Sequence, residues 1–171
     1  MNPKQIEGQD CVGEFRAAYE NRYTWEPDFI GYKGICSWTD GITKENGSFR
    51  VGKDLKASTK DIENDKIKKS IESQLWEVAI HRVKRSFTDT HGENTFTYGN
   101  LNSIGMEVIV GGKNKGDKYR IKDNVVTMVH RHIHGSLIII YTEEVINTEK
   151  GYLSKRYSSQ YINVKTHEPL K

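Results

Sequence analysis

Three histidines stand at alternate positions in the second half of the chain: His130, His132 and His134. If this stretch is a strand, the three imidazoles point to one face of its sheet, and Arg131 and Ile133 point to the other. Neighbouring imidazoles can chelate zinc, copper, nickel or iron, although a catalytic site needs a further ligand and the outer pair lies about 13 Å apart. A polar strand face turned to solvent explains the same alternation. The pattern therefore predicts either a metal site or a solvated face.

An arginine ends the apolar stripe of a predicted helix. On the 3.6-residue period, one side of this helix carries Ile67, Ile71, Leu75, Val78 and Arg82. The guanidinium either reaches water beyond the stripe or is paired inside with an acidic partner or a ligand. Cations at the end of a helix are also favoured simply by the unsatisfied carbonyls of its last turn. Arg82 is therefore a candidate ligand-binding residue, with a structural alternative.

Large aromatic side chains recur in the predicted strands and in the same helix. The candidates for lining a ligand cavity are Trp38, Trp76, Tyr98, Tyr119, Tyr141 and Tyr157. Such rings normally supply core area, but small barrels also leave room for one apolar molecule. Trp76 follows Leu75, so we expect it to flank the contact between the helix and a sheet. Packed core and ligand cavity both remain open.

The overall charge is weak. Lysine and arginine number 26 against 23 acidic residues, for a net charge of +3, so a nucleic-acid partner is not favoured. The lysines that would motivate a nucleic-acid or acidic-surface binder are Lys66, Lys68, Lys69, Lys113, Lys115 and Lys118. The chain has neither a phosphate-cradling glycine loop nor the motifs of zinc proteases and serine hydrolases.

The spacing of Cys11 and Cys36 matches no zinc or redox motif, so we expect two reduced thiols. The first ten residues lack the apolar stretch of a signal peptide, and the longest apolar run, 137–141, is too short to cross a bilayer. The sequence therefore predicts a cytoplasmic protein without a transmembrane segment.

Two periodicities divide the chain into elements. A helical period predicts helices over about 10–23, with Asp10 as N-cap, and over about 64–85. Alternating segments predict three strands within 32–60 and six more at 95–98, 106–110, 118–122, 125–134, 137–146 and 152–164. Turn signals such as Asp123-Asn124 and His134-Gly135 separate the later strands.

This order predicts an α+β protein in a single domain, 1–171. Short links favour an antiparallel meander, and twisted sheets of many strands rarely stay flat. We therefore expect one long curled sheet of about nine strands, a half-open barrel, with two helices packed on it because their apolar stripes must be buried.

A resemblance to a known family runs over nearly the whole chain. It is carried by FRAAYENRYTWEPDFIGY at 15–32, HRVKRSFTDTHGENTFTYG at 81–99, YRIKDNVV at 119–126 and GYLSKRYSSQY at 151–161. These segments resemble an uncharacterised family of cyanobacterial and plastid proteins, the domain of unknown function DUF3386. The resemblance implies an oxygenic phototroph, with the cytosol or the stroma of a plastid as compartment. The histidine stretch at 130–134 departs from the less basic strand expected of the family.

Three functions are compatible with these observations. The first is a non-catalytic binding module that holds an apolar or pigment-like ligand, or a partner segment, in the concave face of the curled sheet. The element order resembles the half-barrel of bacterial lipoprotein carriers and, more loosely, the barrels of bilin lyases, which is an analogy of shape only. The second is an enzyme, either metal-dependent or a tetrapyrrole-handling lyase or isomerase. The third is a weak nucleic-acid or acidic-surface binder.

Overall fold

The computed structural model describes residues 3–170, with side chains from residue 10 onward. Within this range the helices are α1 (Pro3–Glu20), α2 (Asp65–His81) and α3 (Phe87–His91). The strands are β1 (Gly31–Thr39), β2 (Lys44–Gly52), β3 (Ala57–Lys60), β4 (Asn94–Asn102), β5 (Gly105–Gly112), β6 (Lys118–Lys122), β7 (Val125–Ile133), β8 (Ser136–Thr148) and β9 (Gly151–Asn163). The α+β class with antiparallel pairing is confirmed.

The chain divides into two compact units. The large unit contains the residues up to Tyr23 and those from Arg85 onward, and the small unit is Thr24–Lys84. The strands form two sheets, β1-β2-β3 in the small unit and β4-β5-β6-β7-β8-β9 in the large unit. One continuous nine-stranded sheet was therefore the wrong expectation, because β3 and β4 are end strands of two different sheets and do not pair with each other.

The six-stranded sheet of the large unit is a meander in which every neighbouring pair is antiparallel. Two-residue turns join β6 to β7 and β7 to β8. Asp123, Asn124, His134 and Gly135 all have positive φ there, as the favoured hairpin turns require. Register shifts interrupt the ladders β4–β5, β6–β7 and β8–β9.

Helix α1 lies on one face of this sheet and supplies the centre of its core. Cys11, Phe15 and Ala18, spaced three to four residues apart, are fully buried. They pack against Phe87 of α3 and a sheet surface that consists of Phe96, Val108, Val110, Tyr119, Ile121 and Val126. Burial, and then the charge of Glu14, raises the pKa of the Cys11 thiol to about 11. Both cysteines are free thiols, as predicted.

In the small unit, α2 packs on the three-stranded sheet. The helix begins where Asn64 accepts hydrogen bonds from the backbone N–H groups of Lys66 and Ile67, an N-cap. Ile67 and Ile71 form a buried cluster with Ile62, and Cys36, Trp38 and Leu75 pack around it. The carboxylate of Glu72 accepts from both the backbone and the hydroxyl of Thr59, which ties α2 to β3.

The ends of the helices differ from the sequence prediction. Asp10 lies inside α1 rather than at its N-cap, and Pro3 suits the first turn because that turn needs no N–H from it. The chain after Glu20 leaves the helix because Tyr23 donates to the carbonyl of Tyr152 on β9, and Tyr152 donates to that of Asn21. Helix α3, capped by the Ser86 hydroxyl, was not predicted. Over residues 3–170, none of the helices combines the length and apolar character needed to cross a membrane.

Candidate functional site

The six-stranded sheet has two unlike faces. Directly paired residues share a face, so the row Val108, Tyr119, Val129 and Ile140 lies on the side of α1. His130 pairs with Lys118 and Ile139, and this row lies on the opposite side. We call the opposite side the histidine face, and the residues that define it are Ile109, Lys118, His130, His132, Leu137, Ile139 and Tyr141.

Asp117 holds His132 in place. It precedes β6, beside the part of β7 that extends past that strand, and its side chain is only 5% exposed. Its Oδ1 accepts the backbone N–H of His132 at 3.0 Å and lies 3.2 Å from His132 Nδ1. With the proton on Nδ1, His132 donates to Asp117 and presents Nε2 as an acceptor. The His132 side chain is 48% exposed, so this nitrogen is available to a bound molecule.

The same carboxylate also faces a cation. Asp117 Oδ2 lies 3.6 Å from Arg131 Nε, and this buried Nε has no hydrogen-bond partner. Arg131 belongs to the α1 side of β7, so Asp117 connects the two sides of the strand electrostatically.

A second imidazole stands beside the first. The rings of His130 and His132 are 5.5 Å apart. Burial lowers the pKa of His130, and the neighbouring His132 and Lys118 lower it further, so His130 is neutral near neutral pH. The histidine face thus presents one neutral imidazole and one that is oriented by a carboxylate.

The third histidine does not join them. Strand β7 ends at Ile133, and His134 lies in the turn with φ +48°. The expectation that all three side chains share a strand face was therefore wrong, because the turn begins one residue earlier. Among residues 3–170, no group of three or more His, Cys, Asp or Glu side chains is arranged to hold a metal ion.

The two histidines have Lys118 of β6 on one side, where it pairs with His130, and a partly open row of apolar side chains on β8 on the other. Ile109 and Tyr141 are 37% and 36% exposed. Tyr141 pairs with Met128, two residues from His130, so it is a diagonal neighbour of that imidazole. Leu137 pairs with His132 and Ile139 with His130, and both are half-buried. A planar apolar molecule could lie along this row with its edge near the imidazoles.

The α1 side, in contrast, is filled by aromatic rings. The ring of Phe15 lies 4.6 Å from that of Tyr119, 5.0 Å from Phe96 and 5.2 Å from His91. Burial raises the pKa of Tyr119 to about 12. Tyr98 lies on the same side, where burial and then its hydrogen bond with Glu14 raise its pKa. Tyr98 and Tyr119, predicted as ligand-binding residues, thus lie in and beside the packed core.

His91 is buried in this ring cluster. Its Nδ1 contacts Asn94 Nδ2 at 3.1 Å, and Asn94 is held by Asn114. Burial, and then the charges of Arg131 and Arg22, lowers the pKa of His91 to about 4. It is therefore a neutral ring that completes the core.

The other predicted site residues are spread over both units. Tyr157 pairs with Thr142 in the β8–β9 ladder, and Trp38 borders the small-unit core. Arg82 is the C-cap of α2, and its guanidinium lies 5.3 Å from the centre of the Trp25 ring. Trp76 is 50% exposed, so the expectation that it flanks the sheet contact was wrong. Nine residues after Ile67, it lies on roughly the opposite side of the helix from that buried residue.

Sequence reasoning missed Asp117 and Trp25. The partner of Asp117 lies fifteen residues further along the chain, and no local pattern joins them. Trp25 lies in the resemblance segment at 15–32, and its role is visible only in the fold: its ring N–H donates to the carbonyl of Ala79 and its backbone N–H to that of Arg82. Of the lysine clusters, Lys113 is paired with Glu93 at 2.8 Å.

The fold and the site define an α+β protein with antiparallel sheets and a surface histidine pair. The chain belongs to the family described as "Protein of unknown function (DUF3386)", whose profile matches residues 6–171. The comparison with curated proteins found no match, and the comparison with solved structures found none either.

Proposed function

We propose that this protein is a non-catalytic binding module that holds an apolar or pigment-like ligand on the histidine face of its six-stranded sheet. The observation that carries the proposal is the Asp117–His132 pair at the edge of a partly open apolar row. A carboxylate that is 5% exposed fixes one side of the imidazole, so the other nitrogen is aimed at whatever lies on the face.

The geometry favours the histidine face over the side of α1. Rings from α1, α3, β4 and β6 fill the α1 side between β4 and β7, with centroid distances of 4.6 to 5.9 Å. A ligand there would have to displace core residues such as Phe15. The half-open barrel remains part of the proposal, since twist and the register shifts bend a meander of six strands.

The chemistry of the face narrows the ligand. Apolar side chains supply contact area along the strands, and His132 Nε2 accepts one hydrogen bond from a donor at the ligand's edge. Neutral His130 beside it adds a second polar contact without adding charge. A conjugated, mostly apolar ring system with a peripheral N–H or O–H fits this combination. An apolar segment of a partner protein would use the same row but would not need the oriented nitrogen.

The proposal is tested with biliverdin as the probe, titrated into untagged protein and followed by absorbance. Ile139→Ser removes apolar area from the face, and Ile146→Ser is the matched control on the same strand, 49% exposed and outside the face. We expect Ile139→Ser to weaken binding by about tenfold and the control to leave it unchanged. Equal affinity of both variants, or no binding by the parent protein, would overturn the proposal for this ligand class.

A second function is favoured by the same pair. An imidazole oriented by a buried carboxylate is the usual arrangement of a general base, and it suits a proton-transfer isomerase acting on a conjugated ligand. In that case the spectrum of bound biliverdin would drift to that of a new product, and His132→Gln would stop the drift while His130→Gln only slowed it. A stable spectrum in the parent protein excludes this activity on the probe.

A further inference from the structure

The three-stranded sheet of the small unit also has two unlike faces. Tyr32, Cys36 and Trp38 alternate with exposed residues along β1, and Cys36 and Trp38 pack on the α2 core. The opposite face therefore carries the intervening positions of β1 and their partners on β2 and β3. The charged side chains on it are Lys33, Lys44, Arg50 and Lys60, all exposed.

Among the side chains of residues 10–170, none forms an ion pair with these four cations. Lys33 pairs directly with Arg50 across β1 and β2, a like-charge pair that costs stability. Among the described strand residues on this side, none is acidic, and the remaining polar ones carry hydroxyl or amide groups. The nearby carboxylate of Asp40 is engaged by the backbone N–H groups of Ile42 and Thr43 in its own turn. The cluster is not visible in the sequence, because its four cations lie on three different strands.

Apolar side chains project from the same surface. Ile35 lies between the cations, paired with Ser48, and is 90% exposed. Ile42, in the turn that joins β1 to β2 beside Lys44, is 96% exposed. Isolated exposed apolar residues are ordinary, but here two of the most exposed ones in the chain accompany four unpaired cations.

We propose that this surface, the basic face (Lys33, Ile35, Ile42, Lys44, Arg50 and Lys60), docks the protein on an anionic lipid bilayer. The cations match the negative potential of anionic headgroups, and the two isoleucines enter the boundary between headgroups and acyl chains. Phosphates of nucleic acid would satisfy the cations equally well. They give no reason for exposed isoleucines, and the face has no aromatic ring on which a base could stack.

The contact is reversible and sensitive to salt. Its attraction depends on exposed charges, which are screened over about 8 Å at physiological ionic strength. Two isoleucines bury little area, so neither the charges nor the apolar side chains suffice alone.

Co-sedimentation with vesicles tests this inference on the full chain. The protein is mixed with vesicles of phosphatidylcholine containing phosphatidylglycerol, and separately with phosphatidylcholine alone. We expect binding to the first and loss of that binding at high salt. Lys33→Gln/Arg50→Gln should weaken it by about tenfold or more, whereas Lys66→Gln/Lys69→Gln, which removes the same charge from exposed positions of α2, should not.

The apolar half is tested by Ile35→Ser/Ile42→Ser, with Leu101→Ser as control, since Leu101 is 71% exposed in the large unit. We expect the isoleucine double variant to co-sediment several-fold more weakly than the parent protein. The control should co-sediment as well as the parent protein. Equal binding to uncharged vesicles, an equal effect of the two charge pairs, or no effect of the isoleucine pair would each overturn the proposal. Retention of the protein by duplex DNA but not by vesicles would assign the face to nucleic acid instead. Biliverdin binding by all these variants should be unchanged, which separates this result from the fate of the histidine face.

Discussion

The two units of this protein are built with very different cores. In the large unit, one cluster joins ten buried residues from α1, α3 and the strands. Four of them are aromatic, and a fifth is Cys11. In the small unit, the cluster contains only three buried isoleucines, with Trp38 and Leu75 at its margin. A core of that size seldom supplies enough burial to fold alone. Most of the buried core of the protein therefore lies in the large unit, and the small unit has little core of its own.

Trp25 and His91, which lie in the resemblance segments 15–32 and 81–99, both have structural roles, Trp25 in the small unit and His91 in the large unit. Trp25 fixes the end of α2 through two hydrogen bonds of 2.7 Å, and its ring stacks on Phe29 at 4.1 Å. His91 closes the ring cluster and is held by Asn94. Both residues therefore serve packing and capping within their own units.

The largest expected effect comes from the centre of the large-unit core. Phe15→Ala removes a fully buried ring that contacts four others, and we expect it to lower the free energy of unfolding by about 4 kcal/mol. Urea unfolding followed by circular dichroism measures this loss. A loss below about 1 kcal/mol would show that the cluster is not the core we describe.

The same experiment tests the prediction of a single domain. Trp25, Trp38 and Trp76, the three tryptophans of the chain, all lie in the small unit, so tryptophan fluorescence reports on that unit alone. If the chain unfolds as one domain, Phe15→Ala shifts the fluorescence and dichroism midpoints together. Separate midpoints would show that the two units unfold independently.

The pH dependence of stability comes next in size. Because the pKa of His91 is about 4 when folded and near 6.5 when unfolded, the unfolded chain binds the extra proton between these values. Above pH 6.5, His91 is neutral in both the folded and the unfolded chain and does not lower stability. As pH falls from 6.5 toward 4, protonation of His91 in the unfolded chain lowers the free energy of unfolding by on the order of 3 kcal/mol. His91→Phe should flatten stability over this window. His134→Asn is the matched variant: it replaces a histidine in an exposed turn outside the ring cluster, at a positive φ that Asn tolerates.

Replacing a buried acid on α2 should have a smaller effect, and it should raise the free energy of unfolding rather than lower it. Glu77 is 4% exposed, and neither carboxylate oxygen has a hydrogen-bond partner. Glu77→Leu should raise the free energy of unfolding by about 1 kcal/mol, because burying a polar group without hydrogen-bond partners is costly. Its matched control is Glu72→Leu, which removes two hydrogen bonds to Thr59 and should lower stability by about 2 kcal/mol. A loss of stability in Glu77→Leu would contradict this account.

The smallest effect is expected at Trp76. Because its side chain is half exposed, Trp76→Ala should cost about 1 kcal/mol or less. Trp25→Ala, which removes the α2 cap and the stack on Phe29, should cost about 3 kcal/mol. Thermal unfolding of the two variants decides the order, and the reverse order would mean that Trp76 is part of a core.

Much of the fold was predictable because its signals are local. The turns at 123–124 and 134–135 fix the ends of β6, β7 and β8 to within one or two residues of their observed bounds. Helix α2 follows its apolar period and its Asn64 cap. Helix α3 escaped because five residues are too few for a period to appear.

Features that depend on distant residues were not predictable. Strand alternation places Glu143 and Glu144 on opposite sides, but the register shift in β8–β9 brings both carboxylates to Arg156, at 3.3 and 3.5 Å. The candidate site illustrates the same limit: the histidines of β7 were visible as a pattern, whereas the Asp117 that orients one of them was not. The basic face is also spread over three strands, and only the register assembles it.

The backbone pairing at the two ends of β9 covers part of the edge of the large sheet. Strand β9 is the outermost strand of the large sheet, and an uncovered edge of thirteen residues is a template for adding strands from other copies. Arg22 bridges to Tyr152 at its start, where Gly151 has φ +119° and a side chain would collide with the carbonyl of Asn21. Pro169 bridges to Ile162 near its other end and has no N–H to offer a further strand. Backbone segments around Arg22 and Pro169 thus cover the two ends of the β9 edge. We expect a variant that loses either bridge to add strands from other copies more readily and to form ordered aggregates.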